Sequence, residues 1–244
     1  MTGSLHRTIR LVAGRGEARG ILHDDFHHFR VALRHEGGVI RAVESEARRA
    51  PFLLCPAAGD ALQALVGLKV AHVATDLLAE VDSRSQCTHQ LDLAALVSAT
   101  AARGTDRVYR VEVPDLVDGA TVATVERDGQ KLLEWRVRDY AVEAPDRFAG
   151  LGLGHGFTGW VVREMAPEEA EAALVLRRGV FVSRGRRIRA DLDRRPHAPI
   201  TGACWVQQPE RAPLATRSAG VVRDYSETGV PLDEEDRAWL KATC

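Results

Sequence analysis

The chain has 244 residues, 45% of them hydrophobic and 27% charged, with a net charge of −1. That length supports a substantial core, and the near-neutral balance lacks the positive field of a dedicated nucleic-acid binder, so nucleic acid is not an expected partner. Residues 1–10 lack the apolar stretch of a signal peptide, no apolar run approaches the ~20 residues of a membrane span, and four cysteines are too few for a disulfide scaffold, so a reduced, cytoplasmic protein is expected, with no membrane partner.

Residues 1–20 mix arginine and glycine and read as a strand-poor lead-in. The first clear strand is 25–33, where Asp25, His27, Phe29, Val31 and Leu33 share one face. His28 has the opposite parity and is expected in solvent, although His23, His27, His28 and His35 all cluster around one hairpin. Glu36-Gly37-Gly38 supplies the turn, and 39–46 the return strand. The period then changes. Cys55 at the N-cap, Pro56 at the first helical position and Gly67 past the end predict a helix over 57–66. A second helix is expected over 72–81. A third, over 90–102, opens after Cys87-Thr88-His89 and is apolar on most sides, so it should be central and buried.

Gly104 is the best boundary, dividing the chain into units 1–104 and 105–244. Strands are expected over 107–113, 120–127 and 131–138, the last two joined by Asp128-Gly129, with Leu133, Trp135 and Val137 facing inward. A helix follows Pro167, with Glu168 and Glu169 in its first turn, Arg177 and Arg178 in its last, and Gly179 as its stop. Residues 191–226 are interrupted by prolines, with one short helix near Glu210. Strands precede helices in both halves. That order predicts an α+β fold, an antiparallel hairpin sheet followed by helices and then a second sheet-plus-helix unit.

Chemistry concentrates at two cysteines placed where helices begin. Unpaired N–H groups and partial positive charge there favour thiolate, the form that binds metals and attacks electrophiles. One reading is a zinc or iron site formed by Asp25, His27, Cys55, Cys87 and His89, although no C-x-x-C pair is present. Another is nucleophilic catalysis by Cys55 or Cys87 with His27 as base; His89 stands too close in sequence to Cys87 to serve easily. Buried structural cysteines are the plain alternative. The stretch Gly154-His155-Gly156-Phe157-Thr158-Gly159 matches G-x-G-x-x-G but lacks a βαβ setting and reads as a loop. Arg177, Arg178, Arg184, Arg186, Arg187, Arg189, Arg194 and Arg195 could clamp a phosphate or carboxylate, or form a solvated face neutralised by Asp191 and Asp193. Cys204-Trp205 reads as core, and Cys244 falls outside the chemistry.

Asp25-Phe26-His27, His35-Glu36-Gly37-Gly38, Arg49-Ala50-Pro51, Cys55-Pro56 with Ala58, Leu65-x-Gly67 and Cys87-Thr88-His89 together resemble a bacterial domain family of unknown function (family number 2889), over about residues 20–103. The same segment is remotely similar to iron–sulfur scaffold proteins of the NifU/IscU type. That likeness implies a scaffold-like N-terminal unit in which Cys55, Cys87 and Asp25 match cluster-site positions. His23 stands where the first scaffold cysteine belongs and Gln86 where the ligand histidine belongs, so His89 would be the replacement. Three functional readings stay open: a metal-binding, scaffold-like protein with a client protein as partner; an enzyme acting on a small anionic ligand, an acyl thioester or aromatic acid, in the same pocket; and a non-catalytic binding module whose cysteines are structural.

Overall fold

Within the segment expected to lack strands, Leu5, Arg7, Ile9 and Leu11 alternate onto one buried face, and the chain forms β1 (Ser4–Ala13). β2 (Glu17–His23), β3 (His28–Glu36) and β4 (Val39–Arg49) complete an antiparallel meander. The arginines and glycines that hid these strands have structural work there: Arg7 is an interior residue, and a Cβ on Gly20 would lie 2.5 Å from Val97 of the overlying helix. The computed structural model describes residues 3–188 and 194–242. A second meander follows, β5 (Arg107–Pro114), β6 (Ala120–Arg127), β7 (Gln130–Arg138) and β8 (Ala141–Ala144). Asp128 and Gly129, both at positive φ, make the expected β6–β7 turn.

β1 pairs antiparallel with β5 from Ser4↔Pro114 to Leu11↔Arg107, so one eight-stranded sheet runs β4-β3-β2-β1-β5-β6-β7-β8. The fold is α+β. The sheet passes through the Gly104 boundary: the first strands of the two halves are neighbours at its centre, and each meander runs outward.

Five helices complete the described architecture: α1 (Ala74–Ala79), α2 (Thr88–Arg103), α3 (Phe157–Glu164), α4 (Pro167–Arg187) and α5 (Glu234–Lys241). The helix expected over 57–66 forms instead as a 3-10 helix, Cys55–Leu65, which buries Ala58, Leu62 and Leu65. α2 ends on Gly104 in the left-handed conformation and covers β1 to β3, while α4 covers β5 to β7. α4 does not stop at Gly179. The helix continues to Arg187, and Gly179 serves close packing: a Cβ there would lie 2.5 Å from Val111 Cγ1 on β5. Gly179→Ala is therefore expected to destabilise by about 1–2 kcal/mol, the overpacking cost exceeding the gain in helix propensity, as read from urea midpoints.

Gly20 faces α2, so Arg19, Ile21 and His23 project from the other face of β2. α5 covers that face. Arg19 and Arg30 lie over the Trp239 ring at 5.1 and 5.4 Å, and Arg30 bonds Asp236. This cover corrects the expectation for His28, which is buried rather than solvent-facing. The proline-interrupted segment carries 3-10 turns at Trp205–Gln207 and Ala212–Leu214 in place of a helix at Glu210. Arg189, Asp191, Asp193 and Cys244 lie outside the described residues.

Candidate functional site

The four residues between β2 and β3 form a tight loop organised by Asp24. Its Oδ1 accepts from the backbone N–H groups of Phe26 and His27, both at 2.8 Å, and its own N–H donates to the His27 carbonyl. The same carboxylate lies 3.0 Å from His27 Nδ1, and its Oδ2 is 3.3 Å from Arg7 Nε, with both Asp24 and Arg7 fully buried. Arg49 donates to the carbonyls of Asp24, Asp25 and His27, which fixes the loop from β4. Burial would raise the Asp24 carboxyl, but His27, Arg7 and the Phe26 N–H hold it well below the usual carboxylate range. The imidazole is thereby held with Nδ1 on the carboxylate, leaving Nε2 as its second functional nitrogen.

His27 lines a cavity of about 160 Å³ together with Cys55, Cys87, His89, Cys204 and Arg178, with Phe29, Phe52 and Val206 as apolar walls. The Gln90 side chain and one backbone hydrogen bond hold the three cysteine segments together. Gln90 Nε2 donates to the Cys55 carbonyl at 3.1 Å, and the Trp205 N–H donates to the Gln86 carbonyl at 3.0 Å. The rings of His27 and His89 stack with centroids 3.9 Å apart. His89 Nε2 is enclosed without a hydrogen-bond partner, and burial, His27 and Arg7 hold its pKa well below the ordinary histidine value. Arg178 reaches the cavity from α4 with its Nε on Asp92 at 2.7 Å.

The structure thus brings His27, Cys55, Cys87 and His89 to one chamber and adds Arg178 and Cys204, with Asp24 behind His27. It takes Asp25 elsewhere. Asp25 is bound by Arg186, its carbonyl accepts from the Arg223 N–H at 2.8 Å, and burial pushes its carboxyl up to about 6. The turn that points Asp24 inward aims its neighbour the other way. The thiols also differ from the thiolate bias expected at helix starts. Burial pushes Cys55 up strongly and Cys87 up to about 11, outweighing the N–H groups of His89 and Gln90. At that value Cys87 carries about 100-fold less thiolate at neutral pH than an ordinary thiol, so iodoacetamide should label it slowly in the folded protein and at the normal rate in urea, as followed by mass spectrometry.

The ligand separations bear on a metal in this chamber. Donor atoms bound tetrahedrally at ~2.0–2.3 Å lie less than ~4 Å apart. Among the described residues, no three of the chamber's histidine, cysteine and aspartate ligand atoms approach within 4.8 Å of one another; His23, His28 and Asp236, on the other sheet face, do. The arginine stretch is not one clamp: Arg177 bonds the Leu153 carbonyl, Arg178 pairs with Asp92, and Arg186 pairs with Asp25, Asp115 and Asp224. In the glycine stretch, Gly156 is the left-handed N-cap of α3, whose first turn takes up residues 157–159.

Residues 6–103 match the family model described as protein of unknown function (DUF2889). This segment spans β1 through α2 and contains Arg7, Asp24, His27, Cys55, Cys87 and His89, whereas Arg178 and Cys204 come from outside it. No curated protein and no solved structure matches the chain, so the likeness to NifU/IscU-type scaffolds gains no support. Among the described residues, no helix is long and apolar enough to cross a membrane.

Proposed function

We propose that the chamber binds a small anionic organic molecule of aromatic-acid size and that His27 exchanges a proton with it. The observation that carries this reading is the Asp24–His27 pair: a fully buried carboxylate fixes Nδ1, and the ring lines a cavity. With Nδ1–H given to Asp24, Nε2 is the atom at which the ring accepts and returns the proton. Arg178 supplies a cation for the ligand's carboxylate, and Phe29 and Phe52 supply apolar walls. At about 160 Å³, the chamber is close to the engineered ~150 Å³ cavity that admits benzene, a size that suits a single ring or a short branched chain.

Thermal unfolding of the full chain with benzoate, and with neutral benzamide as control, tests the reading. Benzoate at 100 times its Kd should add about 2.7 kcal/mol of stability, benzamide much less, and Arg178→Gln should remove the difference. Equal responses to the two compounds, or an undiminished benzoate response in the variant, would overturn it. A zinc or iron ion held by Cys55, Cys87 and His89 is the second reading. The enclosed, unpartnered His89 Nε2 favours it, and the ligand separations weigh against it.

A further inference from the structure

We infer a second site, for a divalent transition-metal ion, formed by His23, His28 and Asp236 where α5 closes over the β2–β3 hairpin. It stands independently of the chamber reading, because it lies on the opposite sheet face and uses none of the chamber's residues. His23 and His28 are paired residues at the end of the β2–β3 ladder, and both project toward α5. Their rings stack with centroids 4.2 Å apart. Asp236 comes down from the first turn of α5, and the three side chains place one ligand atom each within 4.8 Å of the other two, all from buried residues.

Two of the donors are buried without hydrogen-bond partners. His23 Nε2 meets the Tyr225 hydroxyl at 3.1 Å, whereas His23 Nδ1 is enclosed and unpartnered. Donation of Nε2–H to Tyr225 leaves the Nδ1 lone pair facing an ion, which is the arrangement that orients metal-binding histidines. Asp236 divides its oxygens in the same way. Oδ1 takes Arg30 Nε and Nη2 at 2.9 and 2.6 Å and His28 Nε2 at 3.1 Å, while Oδ2, also 3.1 Å from His28 Nε2, makes no hydrogen bond of its own; an ion would take the place of the His28–Asp236 contact. Buried polar atoms are ordinarily satisfied, and an ion between His23, His28 and Asp236 Oδ2 would satisfy these together.

Two imidazoles and one carboxylate suit zinc or ferrous iron at ~2.0–2.2 Å, reached by small side-chain rotations, with the remaining position left to water. Asp236 and Leu240 are the buried residues of α5, so the ion would fasten this C-terminal helix to the hairpin that carries the Asp24–His27 loop.

Cobalt(II) added to the full, tag-free chain provides the test. One equivalent should survive gel filtration, show ligand-field bands without a thiolate charge-transfer band, and be displaced by zinc. Asp236→Asn and His23→Gln should each weaken binding by more than ~100-fold, while Cys87→Ser leaves it unchanged. Circular dichroism verifies that each variant is folded, and the wild-type spectrum decides the matter if a variant is not. No retained cobalt in the wild type, a thiolate charge-transfer band, or undiminished binding in folded Asp236→Asn would overturn the assignment.

Discussion

Asp24→Ala is expected to lower stability by about 3–5 kcal/mol and to abolish ligand binding in the chamber, because the change leaves an uncompensated charge in the interior. Arg7 is 1% exposed and its nitrogens make no hydrogen bond, so the ion pair with Asp24 at 3.3 Å is its close compensation. The loop N–H groups of Phe26 and His27 lose their acceptor in the same substitution. Asp24→Asn retains the Oδ1 acceptor and should cost less while still leaving Arg7 and His27 without a carboxylate. The wild type should also show the pH signature of a depressed carboxyl. Its folded-state pKa lies below the unfolded value of about 3.9, so the stabilisation is complete above that value and is lost as pH falls toward the folded pKa. Urea titrations at neutral pH and at successive acid steps measure both effects. An Asp24→Asn variant with the wild-type acid slope would contradict the assignment.

Glu171→Ala should have an effect of the same order, about 3–5 kcal/mol, through a different part of the core. Glu171 sits on α4 with 1% of its side chain exposed and accepts from Arg103 through two nitrogens, both at 3.0 Å. It also accepts from the Tyr109 hydroxyl at 2.6 Å and from the Ala74 N–H at 3.1 Å. One carboxylate therefore ties α1, α2 and β5 to α4, where the two halves of the chain meet. Its removal leaves Arg103 part-buried without its bidentate partner and Tyr109 buried without an acceptor. A double-mutant cycle with Arg103→Ala isolates the pair: the two losses should fall short of additive by at least ~1 kcal/mol, and strict additivity would show that the contact carries no energy.

What could be read from the sequence follows from how local each signal is. The β3–β4 hairpin, the β6–β7 turn at Asp128-Gly129 and the buried α2 follow from spacing alone, because turn chemistry and apolar period act within a few residues. β1 and β2 were hidden because an interior arginine and a contact glycine break the alternation that marks a strand. Gly179 carries the same lesson at a helix: close approach to Val111, not termination, explains it. At the chamber, Cys55, Cys87 and His89 are legible from their positions at helix starts, whereas His27, expected on the inward face of a strand over 25–33, lies in the loop before β3 and reaches the chamber through Asp24. Asp24 had a local signal in its spacing to His27, where a carboxylate can cap the following N–H groups, but the adjacent Asp25 carried the apparent strand parity. Arg178 and Cys204 come from distant segments whose approach depends on the finished sheet. The burial of His28 likewise depends on α5, more than 200 residues away.

The most direct measurement is a crystal structure of the full chain after diffusion of saturating benzoate. Benzoate is expected in the chamber, its carboxylate on Arg178 and its ring between Phe29 and Phe52, within hydrogen-bond reach of His27 Nε2 while Nδ1 stays on Asp24. A chamber still empty at saturation, or benzoate bound elsewhere with Arg178 and His27 untouched, would contradict that expectation.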